Sequence, residues 1–437
     1  MHSSPAPTSA RRAAGVPKAS GVLVALFALL LAVSLWNART YPPGRGYDAS
    51  HHLAYADLLI HHGEFPKKIH GPTEAETPPA YYAVAGAAIW IGEKIGLGEP
   101  ARLALALNVL LLAGTAYLVL ELANLVWPTR PWPWALAVAY FAFLPVVVKT
   151  AAMFHPEMLN LFLSTLALFL AVRAAQRGFD WRSALAVGIA CGLALETRRA
   201  ALFPFVAIVG GFLAAAALRR DVRPAAAAAI VLVTGALLYA PWWWHLHTMK
   251  LAPEHKQPNP TPALTASFFV PAVSGAIATP WRPHFTNRVF SMTYAELWGD
   301  YFCAYEWECP PPPSRSDQRQ LIAQSALGVV PTVLAVAGWL LLAWIALTRA
   351  RELLPIALLP GIAVAGYLWY TSHDLSRDGD VIKATYIVST APAWALAFAY
   401  AFVRLPRRAA VAVGAVLAVS ALVDLRFLVY GSPLGFL

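Results

Sequence analysis

Long, uninterrupted apolar runs separated by short polar connectors make up most of the chain: 20–38, 103–126, 133–153, 157–174, 182–196, 200–218, 224–244, 320–347, 354–371, 384–403 and 409–430. A helix needs roughly 20 apolar residues to cross a hydrocarbon core about 30 Å thick, and these runs are of that order. They are continuous rather than alternating, which argues against a strand-built barrel. The pattern predicts an all-α polytopic membrane protein with about eleven transmembrane helices. One more run, 79–97, begins at Pro79 and carries Trp90, Glu93 and Lys94, as suits a helix that lies at an interface or re-enters it.

Charge placement orients the runs. Arg and Lys gather in short connectors: Arg11, Arg12 and Lys18; Arg173, Arg177 and Arg182; Arg219, Arg220 and Arg223; Arg349 and Arg351; Arg404, Arg407 and Arg408. Cytoplasmic connectors carry such an excess. Were 79–97 a full crossing, the last four clusters would all face outward. Holding it at the outer interface puts the N-terminus inside, the C-terminus outside and every cluster inside. Residues 1–19, rich in Ser, Pro and Ala, are then a disordered cytoplasmic tail ahead of a bundle over 20–437, whose outer loops are 39–102 and 245–319. The net charge of +10 is spread over these connectors and forms no contiguous basic face, which argues against nucleic acid as a partner. Composition agrees: 59% of residues are hydrophobic and mean hydropathy is +0.56. Cys303 and Cys309 share an outer loop, where a disulfide is chemically allowed; Cys191 lies in an apolar run.

Only 13% of the chain is charged, so the loop Tyr41–Tyr82 stands out. It holds Asp48, Asp57, Glu64, Glu74 and Glu76, five histidines (His51, His52, His61, His62 and His70), and Arg45, Lys67 and Lys68. Downstream of Asp48 the spacing is helical, with Leu53, Ala56, Leu59 and Ile60 on one face and Asp48, His51, His52 and Tyr55 on another. Asp48 near that helix's start has two readings: an N-cap worth about 1 kcal/mol, or a general base for an acceptor hydroxyl. His155-Pro156-Glu157 forms a short outer turn, and an acid hemmed in by hydrocarbon calls for a partner or a task. Arg198, Arg199 and Lys383 are cations on the side that the charge rule leaves poor in them. At a bilayer edge they are natural ligands for a lipid phosphate, and Lys67, Lys68 and His70 could extend that site. Trp242, Trp243 and Trp244 suit an interfacial belt. The segment Glu296 to Phe302, with Trp298 and Asp300, mixes acid and aromatic residues as a sugar-binding or lipid-gating surface would.

Taken in order, several short segments resemble the GT-C superfamily of integral-membrane glycosyltransferases, above all its family-39-like branch of protein O-mannosyltransferases and bacterial aminoarabinose transferases. They are Tyr47-Asp48 with Gly63-Glu64-Phe65-Pro66; Glu76-Thr77-Pro78-Pro79-Ala80-Tyr81-Tyr82, similar to a "PPLYY" motif; Gly98 to Leu103 at a helix start; His155-Pro156-Glu157; Thr197-Arg198-Arg199; Leu297 to Tyr301; and Gly379-Asp380 with Lys383 to Tyr386. The resemblance implies inverting transfer of a sugar from a polyprenyl-phosphate carrier to a lipid, glycan or protein acceptor. It further implies a multi-pass protein of a bacterial inner or plasma membrane whose active site is extracytoplasmic. Asp48 would be the base, with His51, His52 and Glu157 beside it. Arg198, Arg199, Lys383 and Lys67 would bind the lipid phosphate, and Tyr81, Tyr82, His155, Trp298 and Asp300 the substrate. Many relatives carry Asp-Glu where this chain has Asp48-Ala49, so His51 or His52 could share the base's role. No cofactor is implied, and dependence on a divalent metal stays open, since one acid in a short turn is no cage for one. Neither a phosphate-binding Gly-rich loop nor a His-Glu-x-x-His pair occurs. The competing expectation is a flippase or polymer exporter for lipid-linked glycans. It needs a polar path through runs that read as nearly free of charge.

Overall fold

The computed structural model describes residues 16–66, 74–248, 263–307 and 312–431. Every regular element among them is helical. In chain order they are α1 (Val16–Thr40), α2 (Ala49–Asp57), α3 (Ala80–Lys94), α4 (Ala101–Val126), α5 (Pro131–Ala142), α6 (Pro145–Ala152), α7 (Glu157–Gln176), α8 (Trp181–Leu195), α9 (Leu202–Arg219) and α10 (Val222–Thr248). There follow α11 (Val273–Ala278), α12 (Val289–Trp298), α13 (Arg315–Thr348), α14 (Leu354–His373), α15 (Ala391–Phe402) and α16 (Arg407–Leu428).

Nine helices among the described residues are long and apolar enough to cross a membrane. The run 133–153, expected as one span, is broken: α5 and α6 meet at 55°. Pro145 opens α6 and cannot donate to the turn before it, so the helix stops and restarts there. Counting that pair as one span gives ten, and α8, at 15 residues, is shorter than a crossing needs. Length therefore does not fix the count at eleven, although each expected run corresponds to a helix or helix pair. The run 79–97 is the separate 15-residue helix α3.

The bundle is held by close backbone approaches as well as apolar burial. A Cβ on Gly338 of α13 would lie 1.8 Å from the Ala397 carbonyl oxygen of α15. Gly188 and Gly192, four apart on α8, are similarly pressed by Thr234 and Leu238 of α10. Small residues at such spacing let membrane helices pack where lipid offers little hydrophobic drive. Helix ends that the charge rule assigns to one side do meet. Asn37 at the end of α1 donates to the Leu428 carbonyl at the end of α16 (2.7 Å). At the opposite end Arg219 pairs with Glu352 (3.6 Å), and Gln176 donates to the Leu125 carbonyl (3.2 Å).

Candidate active site

The site is built where the chain leaves α1. Arg102, at the start of α4, donates to the carbonyls of Ala38 (3.2 Å), Arg39 and Tyr41 (3.4 Å), fixing the exit of the opening loop. Gly46 then turns with φ of +116°, and a Cβ there would sit 2.8 Å from Met153 Cγ. This close contact sets Tyr47-Asp48 against the end of α6.

Asp48 occupies the N-cap position of α2 in the left-handed region (φ 51°), but its side chain caps nothing. Its Oδ2 instead accepts from Lys383 Nζ at 2.8 Å. The N-cap reading therefore falls away. Burial opposes ionisation of Asp48, yet Lys383, with His52 and Arg198 beyond it, holds the carboxyl below its ordinary range. Lys383 is mostly buried; against that burial, Tyr386, Asp48 and Asp380 raise its pKa and keep it charged. The ring of Tyr47 lies 5.5 Å from Lys383 Nζ and 5.8 Å from Lys149 Nζ, a cation–π contact with each.

The second acid is fully buried. Glu157 Oε1 accepts from Arg198 Nε (3.0 Å) and Oε2 from Asn160 Nδ2 (2.7 Å). Arg198 also donates to Thr77 Oγ1 (3.0 Å) and lies over the Tyr386 ring at 5.4 Å. Burial works against its charge, but Glu157 and then Tyr386, Tyr82 and Glu74 raise its pKa further. Ser164 donates to Asn160 Oδ1 (3.1 Å), extending the chain of bonds into α7.

Within α2 burial follows neither of the two faces read from the spacing, since Ala56 is buried as His52 and Tyr55 are, while His51 is exposed. His52, Tyr55, Ala49 and Ala56 are buried, while Leu53 is only half-buried. His52 and Tyr55 turn inward because they meet partners there: His52 Nδ1 bonds the Tyr82 hydroxyl at 2.7 Å, and Tyr55 stacks on Tyr82 at 3.9 Å. Tyr81 packs edge-on against Phe154 (5.4 Å). His52 and His155 meet edge to face at 4.8 Å, and burial depresses the pKa of both well below the ordinary imidazole value. Beyond Asp57 the helix widens into a π-turn over Leu58–His62, a distortion frequent at functional sites.

Other expected site residues lie apart from this cluster. Arg199 is exposed and pairs with Glu76 at 3.4 Å. Trp298 donates to Thr332 (2.9 Å) and packs on Gly328. Asp300 is buried, its carboxylate accepting the backbone N–H groups of Ala304, Tyr305 and Glu306, each at 2.9 Å. Asp300 thus holds the 299–307 turn, where Cys303 is disulfide-bonded, and Trp298 holds α12 to α13. Lys67, Lys68, His70 and Cys309 lie outside the described residues. Of the tryptophan trio, Trp242 is buried against Phe65 (5.9 Å), whereas Trp243 and Trp244 are exposed, as a belt requires.

The reading of runs nearly free of charge missed Lys149 and Asp424. Lys149 is fully buried in α6 and donates to the carbonyls of Glu296 and Gly299, both at 2.8 Å, and to the Glu296 carboxylate. A lone lysine in an otherwise apolar run was the available signal. Asp424 is held locally by Gln324 and Ser420, each at 3.2 Å. Thr77, Asn160 and Tyr386 were also missed as partners, because no polar residue signals by itself which distant charge it will meet.

Ligand atoms of Asp48, His51 and Glu74 fall within 4.8 Å of one another. Two carboxylates and an imidazole suit a divalent cation chemically. Asp48 and His51 are exposed, however, and Asp48 already binds Lys383.

The all-helical bundle formed by the described residues is a fold shared with several solved structures. The archaeal oligosaccharyltransferase AglB of Archaeoglobus fulgidus, in complex with an inhibitory peptide and a dolichol-phosphate, superposes with a TM-score of 0.56 at 14% identity, over 95% of this chain and 56% of that one. The same organism's oligosaccharyltransferase in complex with Zn and sulfate gives 0.55 at 16% identity, over 94% and 53%. ArnT of Cupriavidus metallidurans in the apo state gives 0.52 at 18% identity, over 90% and 61%. The chain thus spans between about half and three fifths of the length of these neighbours. No family model and no curated protein matches it.

Proposed function

We propose that the protein is a glycosyltransferase that moves a sugar from a polyprenyl-phosphate-linked donor to an acceptor hydroxyl or amide at the extracytoplasmic face of a cell membrane. The observation that carries the reading is the juxtaposition of Asp48 with Lys383 and of Glu157 with Arg198 within one electrostatically coupled cluster. The neighbours' fold supports it, and one of them was solved with a dolichol-phosphate.

In this reading Asp48, ionised because Lys383 holds it so, takes the proton of the acceptor group as that group attacks the anomeric carbon. The bond from the anomeric carbon to the phosphate oxygen breaks, and its electron pair leaves with the phosphate. Direct displacement inverts the sugar. Lys383 and Arg198 steady the charge that develops on the leaving phosphate, fixed in place before the reaction starts. Should the enzyme use a divalent cation, Asp48, His51 and Glu74 are the residues to hold it, and the ion would supply further charge for the same phosphate.

The test is consumption of a polyprenyl-phosphate-linked sugar by the purified protein in lipid nanodiscs, with release of polyprenyl phosphate. A protein that binds such lipids but never turns them over, while moving them across vesicles, would be a flippase instead. The buried charges beyond the site do not favour that outcome, since Lys149 and Asp424 are each locked in local bonds rather than strung along a path.

A further inference from the structure

His52 and His155 each present one buried nitrogen that nothing among the described residues satisfies. A neutral imidazole has one N–H and one bare nitrogen, and whichever nitrogen accepts a bond leaves the proton on the other. At His155 the Nδ1 accepts the backbone N–H of Glu157 (3.3 Å), so the proton sits on Nε2. At His52 the Nδ1 faces the Tyr82 hydroxyl at 2.7 Å. We assign that hydroxyl as the donor, which places the proton of His52 on Nε2 as well. Neither Nε2 has a partner among the described residues, and the two residues are 1% and 0% exposed. Buried donors are almost always satisfied, so two orphans on rings 4.8 Å apart call for an acceptor from outside the chain.

The neighbourhood says what kind of acceptor. Arg198 and Lys383 both act electrostatically on each ring. The carboxylates that could have answered the N–H groups are already engaged, Asp48 by Lys383 and Glu157 by Arg198 and Asn160. Two neutral donors beside two cations favour an anionic oxygen over a sugar hydroxyl, which would bring a hydrogen of its own. Resting on the lipid-linked donor read above, we propose that the Nε2–H groups of His52 and His155 form a paired neutral cradle for the phosphoryl oxygens of the donor lipid. Arg198 and Lys383 then supply the charge and the two imidazoles the direction. Neutral donors hold the phosphate in place without adding charge that would tie down the product.

The experiment measures binding of undecaprenyl phosphate and of undecaprenol to the protein in nanodiscs. The wild type should prefer the phosphate. His52→Phe and His155→Phe should each weaken phosphate binding by about 10-fold or more, the scale of a lost hydrogen bond to a charged group, and leave undecaprenol binding unchanged. His155→Gln, which restores an N–H near the same position, should recover most of the loss. In wild-type protein with 15N-labelled histidine, the Nε2 resonances of both residues should move on adding the phosphate and stay put with the alcohol. A wild type that does not discriminate phosphate from alcohol overturns the donor reading itself. A wild type that discriminates, with Phe variants binding as tightly as it does or with unmoved Nε2 resonances, overturns the histidine cradle alone. The resonance measurement stands even where a Phe variant fails to fold.

Discussion

Lys383 donates to Asp48 at 2.8 Å across 335 positions of sequence. The contact joins the loop after α1 to the segment after α14, and it holds the Asp48 carboxyl below its ordinary range, as the proposed base requires. Replacing Asp48 with Asn keeps the shape and removes the proton acceptor. Transfer from a polyprenyl-phosphate sugar should fall by roughly 10²- to 10⁴-fold, while binding of the lipid falls little. A wild-type rate in Asp48→Asn would remove it as the base.

Glu157 and Arg198 make a second pair, buried more deeply. Removing one member leaves the other charged and unpaired, which costs about 3–5 kcal/mol at buried sites. Arg198→Ala should therefore lower thermal stability in nanodiscs and abolish retention of polyprenyl phosphate. Arg198→Lys keeps the charge but gives up the fork that spans Glu157 and Thr77, and should recover stability better than it recovers lipid binding. Equal recovery of both would mean that charge alone matters at this position.

Much of this was open to reading in the residues. Hydrophobic runs located the helices because bilayer thickness sets a length, and the arginine clusters gave an expectation of which helix ends share a side because short charged connectors resist translocation. Asp48, Glu157, Arg198 and Lys383 stood out as charges where the chain otherwise avoids them. Pairing did not stand out: nothing in the order of residues says that Lys383 reaches Asp48 or that Asp300 binds its own turn. The burial of His52 and Tyr55 was not legible for a related reason, since a helical wheel groups residues by spacing and cannot know that Tyr82 waits for His52. Lys149 was lost in an average taken over an apolar run.

His61 bridges α2 and α3 and makes a pH-dependent contact. Its Nε2 meets Glu93 at 3.0 Å and its Nδ1 meets Asp57 at 2.9 Å. Both nitrogens can donate only in the charged form, so Glu93 first and Asp57 second raise its pKa. The sign follows: the clamp is complete below the free imidazole value of about 6.5 and is lost as pH rises through the raised value. Hydrogen exchange at the end of α3 should quicken over that window in wild type and show no such step in His61→Gln. A titration midpoint for His61 below 6.5 would contradict the bridge.

Asp48, His51 and Glu74 pose the question of a metal. Lys383 already holds Asp48, and a divalent ion would have to share the carboxylate with that ammonium at the cost of their repulsion. Treatment with EDTA should accordingly leave sugar transfer within about two-fold, a change too small for loss of an ion that stabilises the leaving group. Loss of activity on chelation, restored by one divalent ion and absent in Glu74→Gln, would make the trio a metal centre.

The buried Lys149–Glu296 pair offers a test of what a charge inside the bundle is for. Both side chains are fully buried, and Lys149 also holds two backbone carbonyls at the end of α12. Lys149→Met alone leaves Glu296 unpaired, and Glu296→Gln alone leaves Lys149 with only its carbonyls; each should destabilise by about 3–5 kcal/mol at most. The double variant should recover part of that loss, because two uncharged groups need no partner, and the cycle gives the coupling directly. Activity should not recover with it. Lys149 lies 5.8 Å from the ring of Tyr47, whose other cation contact is Lys383, so its loss frees the residue next to Asp48. A double variant that regains both stability and transfer would show that the pair only holds α6 to α12 and has no part in positioning the base.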